Sequence, residues 1–190
     1  MLRPVLDFDR FLFRLINHDG SNAFFDALMP FLRNQFTWAP VYLFLLLFVG
    51  INFRSKLGWW LLFFLATFAV TDLLSAQVIK VLIQRPRPCW DPVTAETARM
   101  LIPCSNAYSF VSSHAANHFG ISMFIFQTMK QFGKPWVWLV FVWAFIVCYG
   151  QIYTGAHFPL DVLGGALLGL LIGKQTAKIF NEQFGQLTTT

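Results

Sequence analysis

The chain has 190 residues, 56% of them hydrophobic and only 12% charged, with 23 phenylalanines and 7 tryptophans. That balance excludes an ordinary soluble domain and points to an integral membrane protein. The formal charge of +5 is read as a basic cytoplasmic face and not as a nucleic-acid site, so no nucleic-acid partner is expected.

The first 15 residues, MLRPVLDFDRFLFRL, are interrupted by Pro4, Asp7, Asp9, Arg10 and Arg14. They lack the continuous apolar core of a signal peptide, so targeting is expected to rest on the spans themselves. Residues 1–34 are amphipathic, with Phe8, Phe11, Leu12 and Leu15 set against Asp9, Arg10 and Arg14. This pattern predicts one or two short helices lying in the membrane interface.

Five apolar stretches follow, at 36–52, 57–83, 110–129, 135–153 and 159–178; a span needs about 20 residues. The expected fold is therefore all-α: a polytopic membrane helix bundle of about five transmembrane helices, occupying 36–178 of a single domain. The 110–129 stretch is the polar one, opening with Ser112, Ser113 and His114 and continuing through Asn117 and His118. Such residues are costly in lipid, so that end is expected to face a polar cavity. In the last span Gly165, Gly169 and Gly173 recur every four positions, a pattern that lets two helices approach closely.

Basic residues set the orientation. Arg54 and Lys56, Lys130 and Lys134, and Lys174 and Lys178 all fall on one side of a five-span bundle, which the positive-inside rule makes cytoplasmic. The C-terminus is then cytoplasmic, and the N-terminal region, the 84–109 loop and the 154–158 turn lie outside. Arg3, Arg10, Arg14 and Arg33 run against this assignment, accompanied by Asp7, Asp9, Asp19 and Asp26. Trp59 and Trp60 are assigned to an interfacial aromatic belt, Asp72 to a packing or network role, and Cys148 to the core. Cys89 and Cys104 share the outer loop, where an oxidising compartment would allow a disulfide closing about 16 residues and worth roughly 3 kcal/mol. Two free thiols are the alternative.

Three polar clusters carry the chemistry. In KVLIQRPRP, residues 80–88, Lys80 and Arg87 are seven apart, so a helix running to its proline-enforced end would place both on one side. With Arg85 they make a cationic cluster on the face expected to be poor in positive charge, which suggests an anionic ligand. In SFVSSHAANHF, residues 109–119, two serines and a histidine at a helix start offer hydroxyls, backbone N–H groups and the positive end of the helix dipole to a phosphate-sized anion. His114 and His118 also share a face as metal ligands would, but the HExxH glutamate is absent because Ala115 follows His114, so His118 is read as a packed or network histidine. In the third cluster Asp161 follows His157 by one turn, so it can orient one ring nitrogen and leave the other free to attack.

Taken in order, Lys80-x6-Arg87-Pro88, Ser109-Phe110-Val111-Ser112-Ser113-His114 and His157-x3-Asp161 resemble the three-part signature of the type-2 phosphatidic acid phosphatase superfamily. The resemblance covers about 80 residues. It implies a membrane lipid phosphatase that works without a metal or other cofactor on lipid phosphates in the bilayer. His157 would attack phosphorus to form a phosphohistidine, with Asp161 holding its ring, and His114 would protonate the leaving oxygen and then activate water. Lys80, Arg87, Ser112 and the backbone at Ser113 would cradle the phosphoryl oxygens.

Two departures stand out. Ser113 replaces a glycine of the second motif, and Gly150-Gln151 replaces the Ser-Arg that usually opens the third. Gln151 offers only a neutral hydrogen bond where the family has a charged fork, a difference worth about 10²–10³ in rate if nothing compensates; Arg85 is the nearest candidate to do so. The alternative reading is a catalytically weak homologue that binds or moves lipid phosphates. Candidate substrates are undecaprenyl diphosphate, phosphatidylglycerophosphate, phosphatidic acid and lipid A phosphate, acted on at the outer face of a cell (inner) membrane. The sequence leaves oligomeric state open.

Overall fold

A computed structural model describes residues 2–132 and 135–187; Lys134, one of the orientation markers, lies outside them. Eight α-helices account for most of these residues, and no strand occurs among them. The N-terminal region forms α1 (Leu2–Arg14), extended by a π-helical turn to Asp19, and α2 (Ala23–Leu32). The side chain of Asn22 caps α2 by accepting from the Phe25 N–H at 3.0 Å, and the helix closes on Arg33, whose N–H reaches the Met29 carbonyl. α3 (Ala39–Asn52), α4 (Leu57–Asp72), α5 (Lys80–Ile83), α6 (Ser113–Met129), α7 (Leu139–Tyr153) and α8 (Pro159–Phe184) build the bundle.

Among the described residues, four helical stretches are long and apolar enough to cross a membrane: Gln35–Asn52, Arg54–Ile83, Trp136–Tyr153 and Pro159–Phe184. The fifth expected span is α6, shorter at 17 residues and central to the bundle, with more than half of its positions buried. It packs against α4, α7 and above all α8. The glycine stripe explains that contact. A Cβ on Gly165, Gly169 or Gly173 would fall 2.2–2.3 Å from the carbonyl oxygens of Ser112, Ala116 and Gly120 respectively, so the two backbones touch. Leu163, Leu167 and Leu171 lie exposed on the opposite face of α8, as a lipid-facing stripe would. Gly169→Val is expected to force these backbones apart and destabilise the fold by roughly 1–3 kcal/mol, read as a lower melting temperature in detergent.

The α4–α5 rod carries a π-helical stretch at Leu73–Ile79, an interruption that resets which side chains face inward. Just before it, Asp72 accepts from the Asn117 amide at 3.0 Å, and the Asn117 carbonyl oxygen accepts from Thr71 at 2.7 Å. Asp72 is thus part of a polar network between α4 and α6. Trp60 is not an interfacial residue. It is 2% exposed, donates to the Thr128 hydroxyl and stacks among Phe64 and Phe124, whereas Trp59 is half exposed against Phe184.

The two ends of the bundle differ. At one, Lys56 donates to the Gln186 carbonyl and the Leu187 N–H reaches the Thr128 carbonyl, so the first basic turn, the end of α6 and the C-terminal segment meet. At the other, α1 and α2 fold back over the 84–112 loop and the start of α8. α1 turns Asp9 and Phe13 inward, 1% and 2% exposed, while Phe8 and Phe11 point outward.

Candidate active site

Every candidate catalytic side chain lies at this second end. α5 stops at Gln84, which adopts a left-handed conformation (φ 52°) just ahead of Arg85-Pro86. Arg87 is therefore not on the helix that carries Lys80. The loop, not helical phase, brings the two cations to one cavity. Ser112 caps α6 with its hydroxyl towards the Ala115 N–H at 3.4 Å, and its own N–H donates to the Asp161 carbonyl. Pro159 starts α8, and the Asp161 carboxylate accepts from the Phe158 N–H at 2.9 Å, a first-turn arrangement suited to an anion.

A cavity of about 380 Å³ opens here, lined by Arg33, Lys80, Arg87, Ser113, His114, Gln151 and His157 and walled by Met100, Ile102, Pro103, Ser105 and Ala156. Six of the sequence-predicted site residues (Lys80, Arg87, Ser113, His114, Gln151 and His157) therefore share one space. His157 is 2% exposed. Its Nδ1 lies 3.5 Å from Asp161 Oδ2 and 3.3 Å from the Ser109 hydroxyl, which itself donates to Asp161 at 2.5 Å. The ring is thus held on its Nδ1 side by a serine–carboxylate pair, leaving Nε2 as the nitrogen available to the cavity. Burial pulls the His157 pKa below its ordinary value, against the opposing pull of Asp161, which keeps the ring neutral and its lone pair free at neutral pH.

The cradle is cationic. Arg87 is fixed by two backbone carbonyls, Ala107 at 2.7 Å and Ala156 at 3.0 Å. Among the described residues, neither it, Lys80 nor Arg33 pairs with a carboxylate. The Ser113 hydroxyl is buried without a partner there. Uncompensated positive charge and an orphaned donor around one space fit a multiply charged anion.

Two residues sit differently from expectation. Arg85 does not line the cavity. It stands behind His157, salt-bridged to Asp9 at 2.6 Å and to Asp161 at 2.7 Å, with its guanidinium 4.3 Å over the Phe158 ring. Ser112 is fully buried in its capping role. His118 turns from the cavity, with Nδ1 on the His114 carbonyl and its ring against Trp143. Cys89 and Cys104 are brought together, Cα atoms 6.4 Å apart. Alkylation without reductant followed by mass spectrometry is expected to leave both unlabelled; full labelling of both would exclude the bridge.

Sequence reasoning missed the N-terminal contribution. Asp9 accepts from Arg85 and from the Leu160 N–H at 2.8 Å. Asn17 is bonded to both backbone groups of Arg99 and to the Tyr153 carbonyl, and Arg99 pairs with Asp26. Gly155, at φ 86°, lets the Arg99 carbonyl come within 2.6 Å of where a Cβ would stand, so the outer loop rests on the turn that carries His157. Arg10 pairs with Asp91 on the same loop. The only sequence signal for this clamp is the density of acids and arginines before residue 34.

Comparison with known proteins places this fold and cavity in a family of membrane phosphatases. A family model described as the PAP2 superfamily matches residues 57–184, and the chain belongs to that superfamily, in its membrane lipid phosphatase branch. It is 28% identical to a lipid A 4'-phosphatase of Bacteroides thetaiotaomicron, over 89% of this chain and 75% of that protein. It is 30% identical to an undecaprenyl-diphosphatase of Sulfolobus acidocaldarius, over 88% and 76%. The crystal structure of Aquifex aeolicus LpxE superposes with a TM-score of 0.63 at 29% identity, covering 88% of this chain and 93% of that one. A transmembrane PAP2-type phosphatidylglycerolphosphate phosphatase from Bacillus subtilis shares the fold, with a TM-score of 0.72 at 23% identity over 96% and 88%.

Proposed function

We propose that the protein hydrolyses a phosphomonoester or terminal diphosphate of a membrane lipid through a phosphohistidine on His157, at the extracytoplasmic face. The observation that carries this reading is the single cavity in which His157, braced by Asp161 and Ser109, meets His114 and a cradle of unpaired cations. In the first step Nε2 of His157 bonds to phosphorus as the bond to the lipid oxygen breaks, and His114 gives that oxygen its proton. In the second, His114 takes a proton from water, the water oxygen bonds to phosphorus, and the N–P bond breaks to release phosphate. Lys80, Arg87 and Ser113 stabilise charge on the equatorial oxygens throughout, a task the chain performs with its own side chains. Ser112 supports the cradle indirectly, by starting the helix that carries Ser113 and His114.

The exposed apolar side of α1 supports an interfacial position for residues 1–34, beside a cavity that must admit a lipid headgroup. The basic end of the bundle, opposite the cavity, supports a cytoplasmic C-terminus and a site facing outward in the inner membrane. The reading of a weak binding homologue rested on Gln151, and the guanidinium of Arg33 beside that residue favours the enzyme.

The test is phosphate release by purified protein from lipids in mixed micelles. The panel is lipid A, undecaprenyl diphosphate, phosphatidylglycerophosphate and phosphatidic acid. Release from at least one, with an acid-labile, base-stable phosphoryl group trapped on the protein, is expected. Binding without release from any of them would overturn the reading.

A further inference from the structure

The cavity holds a residue outside all three motifs. Arg33, the C-cap of α2, reaches across to Gln151, with Nε and Nη2 donating to the Gln151 Oε1 at 3.3 and 3.1 Å. The other amide atom, Gln151 Nε2, is buried without a partner among the described residues and lines the same cavity. Gln151 itself is 0% exposed. An amide whose oxygen is spent on an arginine, with its two N–H donors unspent, is built to present donors to an acceptor that is not protein.

Gly150 favours the close approach of α2 and α7 at this contact. A Cβ there would stand 3.2 Å from Arg33 Cβ and 3.4 Å from the Met29 carbonyl, so a larger residue would push the end of α2 away from α7. The two positions that depart from the family's motif thus act together, one admitting the Arg33 backbone and the other gripping its side chain. Burial and the Arg87 guanidinium both pull the Arg33 pKa down, as expected for a cation set beside another cation and waiting for an anion.

We propose that Arg33 and Gln151 form a composite phosphate-binding unit in which Arg33 supplies, from the N-terminal segment, the guanidinium that the third motif lacks. Arg33 touches the phosphoryl oxygens, and Gln151 both positions it and donates through Nε2. This rests on the phosphatase reading above and adds the residue that completes its cradle.

The experiment compares the native chain with Arg33→Ala, Gln151→Arg and Arg33→Ala/Gln151→Arg. It measures kcat and KM on whichever lipid the panel selects, and equilibrium binding of orthovanadate as a phosphoryl analogue. Arg33→Ala is expected to lower kcat/KM by about 10²–10³, with most of the loss in kcat. The double variant should regain at least about tenfold of it, because the new guanidinium occupies the space that Arg33 vacated. Vanadate affinity should fall and recover in the same order, with melting temperature and elution volume unchanged. Arg33→Ala within about threefold of native, no rescue by Gln151→Arg in a folded double variant, or a native chain that does not bind vanadate would each overturn the proposal. If the native chain hydrolyses no lipid but vanadate binding depends on Arg33 with rescue, the phosphatase reading fails while the composite anion site stands.

Discussion

His157→Ala is expected to reduce turnover by on the order of 10⁶-fold, the scale on which loss of a covalent nucleophile registers, while His114→Ala loses about 10²–10⁴-fold. The two variants should also differ in kind. With an aryl phosphate whose leaving group needs no proton, the His114→Ala protein can still transfer phosphate to His157 but cannot activate water to remove it. It should therefore accumulate phosphoenzyme in a burst, whereas the His157→Ala protein should show none. Combining both changes should cost little more than His157→Ala alone, because the acid–base group serves a step that no longer occurs. A burst in the His157→Ala protein would show that the nucleophile is another residue. Asp161 and Ser109 brace the Nδ1 side of the ring and do not touch phosphorus in this scheme, so their loss should be milder.

Arg85→Ala should destabilise the fold by roughly 3–5 kcal/mol, as expected when one member of a buried ionic group is removed. Asp9 is 1% exposed and Asp161 0%, and Arg85 stands between them, 14% exposed at its side chain. Without the guanidinium two carboxylates would share a dry space. Burial already raises the Asp9 pKa against the pull of Arg85, and losing Arg85 removes that pull. A folded-state pKa above the unfolded one makes stability fall as pH rises through the titration, so mild acidification should restore part of the loss. Asn at position 9 should do the same at neutral pH. Thermal melting in detergent measures all of this. An unchanged melting profile would overturn the assignment of Arg85 to the buried ionic group.

The motif residues were legible because phosphoryl chemistry restricts which residue types can serve, and they recur at fixed short spacings. His157 and Asp161 share one local unit, as do Ser112, Ser113 and His114, so one turn of helix is enough to predict their relation. Lys80 and Arg87 line one cavity, though not by the route their spacing suggested: the chain leaves the helix at Gln84, and a loop restores the proximity that helical periodicity was expected to supply. Arg85 reads as one more cation in a cluster until Asp9 appears beside it, 76 residues earlier in the chain. That pairing depends on which face of α1 turns inward. An amphipathic pattern lets either face do so, since lipid can receive Phe8 and Phe11 as readily as a core can. Arg33 was invisible for a similar reason. It follows an apolar helix with no motif around it, and Gln151 announced only that something was missing.

The contacts that finish this site join residues very far apart in the chain: Asp9 to Leu160, and Arg33 to Gln151. The N-terminal residues leave the ribosome first, yet their partners arrive only with the last two helices. Until then the bundle has its earlier cations but neither His157 nor Asp161. Competence is therefore a late event in biogenesis, reached when the beginning of the chain closes over its end. A chain stalled before residue 151 would lack Gln151, His157 and Asp161 alike.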